Sequence, residues 1–197
     1  MEELTETSTA VLTQMVTEHT GNQPTACVPL AQSGSHRRYY RFTFADNSTL
    51  IGAYNEDVTE NRAFFEYTRF FAAHKLNVPA LLAIHEDQKH YLLNDLGTQT
   101  LYDKLCEIRK ENGDFQEVMD YYRKVVEALP QFQMTAKQGL DMSVAYPRAA
   151  FDRQSMQWDL NYFKYYYLKM VNIPFNEQAL EDDYQAFMDY LLSVDDN

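Results

Sequence analysis

The residues best suited to do chemistry in this chain lie in three short stretches. The first is Ser33-Gly34-Ser35-His36-Arg37-Arg38, followed closely by Arg41. Its glycine lets the backbone approach a ligand, its two hydroxyls can donate hydrogen bonds, and its guanidiniums bring positive charge. Such a loop can receive a ligand; a solvated hairpin turn is the competing reading. The second stretch is Thr59-Glu60-Asn61, where a helix opens. Glu60 sits there, where a helix N-terminus favours a carboxylate. The third is Tyr91-Leu92-Leu93-Asn94-Asp95-Leu96-Gly97, an apolar run that ends in polar turn residues. It separates a strand-rich half from a helical half, and a cleft often forms at such a join.

These residues stand in an acidic background. The 197 residues carry 29 acidic against 17 basic side chains, a net charge of −12. A general nucleic-acid binder is excluded on that balance, because phosphate affinity rests on Lys and Arg. One local basic site is still accommodated, and Arg37, Arg38 and Arg41 supply it. No stretch approaches the roughly 18 apolar residues of a membrane helix, and the first 21 residues do not resemble a signal peptide. Cytoplasmic placement and no membrane partner are the expectation. Cys27 and Cys106 fit no metal or redox spacing and read as reduced, buried thiols. His19, His36, His74, His85 and His90 fall into no ligand pattern, so no metal residues are assigned.

The elements that must position the three stretches follow from periodicity. Leu4, Val11, Leu12, Met15 and Val16 predict an opening helix over Leu4–His19. Ala26–Gln32 is a candidate strand. Tyr39–Phe44 alternates cleanly, with Tyr40, Phe42 and Phe44 on one face and Tyr39, Arg41 and Thr43 on the other. Asp46-Asn47-Ser48 turns the chain into a third strand, Thr49–Tyr54. A helix with Phe64, Phe65, Tyr67, Thr68 and Phe71 runs to about His74. Leu81–His85 and His90–Leu93 are two more strands around the turn Glu86-Asp87-Gln88-Lys89.

Beyond Gly97 the reading is helical: Leu101–Glu111, then Phe115 to about Phe132 with a break near Pro130. Met134–Arg153 reads as a long unpatterned connection. Helices over Trp158–Val171 and Asn176–Val194 follow. The aromatic residues Trp158, Tyr162, Phe163, Tyr165, Tyr166 and Tyr167 could wall a sugar pocket with Asp159 as a hydroxyl acceptor; core packing between helices is the plainer reading. The fold class is α+β: a five-stranded antiparallel sheet with one helix over residues 1–97, then a helical part over residues 98–197.

Gly34 to Arg41, Glu60 to Phe64, Asn77-Val78-Pro79 and Tyr91 to Gly97 occur in an order that resembles the aminoglycoside phosphotransferase superfamily, the kinase-like small-molecule phosphotransferases. The likeness is nearest to its branch of sugar kinases acting on N-acetylmuramate and N-acetylglucosamine, and it covers Ala26 onward. The resemblance implies a protein-kinase-like small lobe ending in a hinge, followed by part of a helical large lobe. It implies ATP with magnesium as cofactor and a hydroxyl acceptor such as an amino sugar. Ser33, Gly34, Ser35, Arg37 and Arg38 would form the lid over the phosphates. Leu93 would offer its carbonyl and Asp95 its N–H to adenine, with Leu92 bordering that pocket. Glu60 would be the helix acid that pairs with a lysine on the third strand. That strand, Leu50-Ile51-Gly52-Ala53-Tyr54, has no lysine. Arg41 and Arg38 are the candidates to replace it, with a different donor geometry.

Phosphoryl transfer also needs an aspartate to orient the acceptor hydroxyl, and further side chains to hold magnesium. In the superfamily they come from a His-x-Asp-x-x-x-x-Asn loop. His85-Glu86-Asp87 begins that pattern, but Leu92 occupies the asparagine position. No catalytic residue is therefore assigned. The expectation is the N-terminal part of such a kinase, inactive by itself and prone to self-association through exposed apolar faces. A non-catalytic kinase-like binding or regulatory module, and an unrelated α+β interaction domain, are the alternatives.

Overall fold

The computed structural model describes residues 2–32, 34–110 and 115–193. Packing divides the chain into two compact units, Met1–Val144 and Ala145–Asn197. Ser33, assigned to the lid, and the expected helix ends Glu111 and Val194 lie outside the described residues.

In the first unit, helix α1 (Glu2–Thr20) precedes three strands, β1 (Ala26–Pro29), β2 (Arg38–Thr43) and β3 (Thr49–Tyr54). Helix α2 (Val58–Ala73) follows, then β4 (Leu81–Ile84) and β5 (His90–Asn94). The strands form one antiparallel sheet in the order β1-β2-β3-β5-β4. This is the α+β architecture expected, with the single helix between the third and fourth strands.

Strand alternation sends the side chains to two different layers. Tyr40, Phe42 and Leu92 pack under α1 with Leu12, Met15 and Val16. Ile51, Ala53, Tyr91 and Leu93 pack on the other face with Phe65 of α2. Gly52 sits where α1 crosses β3: a Cβ there would meet Phe42 Cε2 at 2.8 Å and the Leu12 methyls at 3.1 and 3.2 Å. A larger residue would therefore push the helix off the sheet.

The start of α2 is set by Asp57, whose side chain accepts the N–H groups of Thr59 and Glu60. Asn61, one turn in, has no exposed surface. Its Nδ2 donates to the carbonyls of Asn55 and Gln88, both at 2.8 Å, so one amide ties the helix start to the strand ends on either side. Helices α3 (Leu101–Lys110) and α4 (Phe115–Ala136) complete the unit with a short 3₁₀ turn, Met142–Val144. Pro130 does not interrupt α4 as expected. The carbonyl it deprives of a partner is that of Val126, on an exposed stretch where water can bind it. Cys27 and Cys106 are free and half-buried rather than buried.

The second unit is an antiparallel pair, α5 (Arg153–Phe163) and α6 (Glu177–Leu192). The stretch expected to be a connection already contains the start of α5, because the Asp152 side chain caps it through Ser155 N–H. After Phe163 the backbone widens into a π-helical turn, Lys164–Leu168. Lys164 is buried there and pairs with Glu177 at 2.5 Å and Glu181 at 2.7 Å, and these carboxylates hold its ammonium well above its ordinary pKa. Tyr184 Oη donates to the Leu160 carbonyl at 3.0 Å.

Candidate functional site

The face of the sheet that carries α2 gathers most of the chemistry-bearing residues, in two ion pairs. The first joins the β1–β2 loop to α2. Arg37 Nη2 donates to Glu60 Oε1 at 2.7 Å, while Asn55 Nδ2 donates to Glu60 Oε2 at 3.1 Å. The guanidinium lies 5.1 Å from the centre of the Phe64 ring, and the Arg37 side chain is 13% exposed. Its Nε and the nearby Tyr91 hydroxyl are buried without a hydrogen-bond partner among the described residues. Burial raises the Tyr91 phenol far above its ordinary pKa, with the Arg37 charge opposing the rise. In the loop itself, Gly34 adopts a positive φ of 37° and Ser35 Oγ accepts the Arg37 N–H at 3.3 Å.

The cation that meets Glu60 is thus Arg37, where Arg38 or Arg41 was expected. The reason is geometric. Arg38 stands in β2 in register with Tyr54, and alternation places it with Tyr40 and Phe42 on the α1 face. Arg41 shares the α2 face but lies four residues further along, a displacement of roughly 13 Å.

Arg41 makes the second ion pair, at the end of β5. Its Nε donates to Asp95 Oδ2 at 2.5 Å and its Nη2 to Asp95 Oδ1 at 3.1 Å, a fork-on-fork arrangement. Nη2 also reaches the Gly97 carbonyl at 2.8 Å, and Asp95 Oδ1 accepts the Gly97 N–H at 2.9 Å. The Asp95 side chain is 8% exposed. The Arg41 hydrogen bond, followed by those from Gly97 N–H and Thr49, outweighs burial and holds this carboxyl at about 2. The resemblance gave Asp95 a part only through its backbone N–H; in the structure its carboxylate fixes the turn. Asn94, not singled out before, fixes it from the other side: its N–H donates to the Ala80 carbonyl at 3.1 Å and its Oδ1 accepts the Ala80 N–H at 2.6 Å.

Leu92 does not border this face. It has no exposed surface and packs under α1, so strand alternation removes it from any adenine pocket on the α2 side. Leu93 is on the α2 face, inside the β3–β5 ladder opposite Ile51, and Asp95 is the first residue beyond that ladder.

On the opposite face, at the β4–β5 turn, the structure brings together three residues that sequence reasoning did not combine. Asp87 Oδ2 lies 2.7 Å from His90 Nδ1 and 3.1 Å from His85 Nδ1. Burial opposes ionisation of Asp87, but the N–H groups of Lys89 and His90 with the two imidazoles hold its carboxyl at about 2. The usable signal was the four-residue turn, which makes His85 and His90 cross-strand neighbours.

In the second unit, the aromatic run is largely at the surface instead of forming a core. Tyr162 stacks on Tyr166 at 4.4 Å and Phe163 on Tyr167 at 5.4 Å, one helical turn apart. With Asp159 they line a shallow concavity of about 430 Å³.

No protein-family model matches the chain. Among curated proteins it is similar to an N-acetylmuramate/N-acetylglucosamine kinase of Pseudomonas aeruginosa, 28% identical over 145 residues. The match takes in 74% of this chain and 38% of that protein, so the chain spans well under half the length of the relative. A distant kinase-like relationship is what that similarity supports. Among the described residues, no helix is long and apolar enough to cross a membrane.

Proposed function

We propose that this chain supplies the nucleotide-binding lobe of a kinase-like small-molecule phosphotransferase, with ATP as phosphoryl donor and an amino-sugar hydroxyl as acceptor. The observation that carries the reading is the Arg37–Glu60 pair, a cation from the β1–β2 loop held on a carboxylate of α2. Arg37 would meet the phosphates in place of the absent third-strand lysine, through the part of its guanidinium side left exposed beside Glu60. Gly34, Ser35 and Arg38 would complete the lid. The backbone of Leu93 and Asp95 would meet adenine at the other end of the same face, with residues 1–97 as lobe and hinge. The Arg41–Asp95 fork would keep that hinge in shape and would not touch phosphate.

The residues on this face fit the donor nucleotide better than they fit magnesium. Glu60 is engaged by Arg37 and Asn55, and Asp95 by Arg41 and Gly97. In this reading the magnesium ligands and the aspartate that activates the acceptor lie outside these 197 residues, so the chain alone would bind nucleotide without turnover. The similarity to a sugar kinase supports the acceptor class, and the aromatic concavity of the second unit offers ring faces of the kind a pyranose stacks on. Amide NMR of the chain with ATP–magnesium tests the reading. Shifts should concentrate at Gly34, Leu93 and Asp95; spectra unchanged at millimolar nucleotide would remove it.

A further inference from the structure

We propose that His85, Asp87 and His90 form a binding site for a divalent transition metal of the zinc class, on the face of the sheet away from α2. The backbone builds it. Ile84 pairs with Tyr91 across the β4–β5 hairpin, and His85 N–H donates to the His90 carbonyl at 2.9 Å. His85 and His90 are therefore directly opposed, and opposed residues of antiparallel strands project to the same side with Cβ atoms about 5 Å apart.

The turn between them then aims the third ligand. Asp87 Oδ1 accepts the N–H of Lys89 at 2.7 Å and of His90 at 3.1 Å, which leaves Oδ2 pointing at both imidazoles. One ligand atom from each of the three residues lies within 4.8 Å of the others. Tetrahedral zinc, with bonds of about 2.0–2.2 Å to imidazole nitrogen and carboxylate oxygen, asks for ligand atoms about 3.3 Å apart. The observed Oδ2–Nδ1 distances of 2.7 and 3.1 Å need a few tenths of an ångström of opening, and the two imidazole nitrogens, within 4.8 Å of each other, need to close on the ion by up to about 1.5 Å.

The surroundings suit a cation. His90 is a rigid wall at 7% exposure, with the Tyr54 ring 4.8 Å away. His85 and Asp87 are each about a third exposed and leave an entry path and a fourth position for water. Lys89, the nearest cation in the turn, is drawn off to Glu56 at 2.5 Å. Two nitrogens and one oxygen favour zinc, nickel or copper over magnesium or calcium, which prefer all-oxygen ligands. The site does not depend on the nucleotide reading, since its residues belong to the other face.

Calorimetric titration of the full chain with zinc chloride tests it. One saturable site per chain with affinity in the micromolar range is expected, and it should be weakened at least about tenfold by His85→Ala and by Asp87→Asn, the latter keeping the oxygen that caps the turn. His74→Ala, at an exposed histidine elsewhere, should leave the affinity unchanged. Zinc should also move the Nδ1 resonances of His85 and His90 in the unmodified chain, a readout that needs no variant. Absence of saturable binding, or binding that both variants leave intact, or silent His85 and His90 resonances, would overturn the proposal.

Discussion

Replacing Asp95 by Asn probes the turn after β5, because the change removes the charge facing Arg41 while keeping an oxygen for the Gly97 N–H. The Asp95 carboxyl is displaced from an ordinary 3.8 to about 2. At about 1.4 kcal/mol per pH unit the shift is worth about 2.5 kcal/mol, which solvent screening at the partly exposed Arg41 reduces to about 2 kcal/mol. The sign follows from a folded pKa that is depressed. The contribution is complete above pH about 4 and is lost as the pH falls toward 2. Denaturant unfolding of the Asp95→Asn variant should therefore show a loss of about 2 kcal/mol at pH 7, and the difference from the unaltered chain should close between pH 4 and 2. Asp87 titrates over the same interval, so the difference between the two proteins, not either slope alone, is the quantity to read. A cycle with Arg41→Met should give a coupling of about 1–2 kcal/mol. The single tryptophan, Trp158, lies in the second unit; far-UV dichroism or the Gly97 amide signal is the appropriate probe. A pH-independent difference, or a coupling below about 0.5 kcal/mol, would refute the assignment.

Three further changes test other parts of the structure. Asn61→Leu strands the Asn55 and Gln88 carbonyls in a buried region and should cost at least about 2 kcal/mol in thermal or denaturant unfolding. Gly52→Val forces a side chain against Phe42 and Leu12 and should cost about 1–3 kcal/mol, with chemical-shift changes concentrated along α1. The exposed Tyr162–Tyr166 and Phe163–Tyr167 stacks should drive self-association at high concentration; sedimentation should show it reduced by Tyr162→Ser with Tyr166→Ser, and a monodisperse monomer in the unaltered chain would contradict it.

The sheet was readable because its signals are local. Tyr40, Phe42 and Phe44 alternate with Tyr39, Arg41 and Thr43, and Asp46-Asn47-Ser48 can only turn, so the second and third strands, and the faces of the second, followed from spacing alone. Other features rest on what the chain meets in three dimensions. Which arginine faces Glu60 depends on the side of β2 from which each side chain leaves, and Arg37 precedes the strand where the alternation was counted. Leu92 and Leu93 are chemically alike, and only the sheet's pairing separates a residue under α1 from one under α2. The α5 start was missed because Asp152 caps a first turn of polar residues, and the π-helical turn at Lys164 has no compositional signature. The histidine pair at 85 and 90 was hidden by treating histidines as a sequence pattern; cross-strand neighbours become visible only when the turn is counted as a turn.

In the function proposed above, Arg37, seated on Glu60, faces the phosphates of a nucleotide. Comparing ATP–magnesium with adenosine on the unaltered chain and on Arg37→Met tests it most directly. ATP affinity should fall about tenfold or more in the variant, as expected for loss of a charge-assisted contact, while adenosine affinity stays the same. Equal ATP affinity in the two proteins, or no ATP binding by the unaltered chain, would contradict the account.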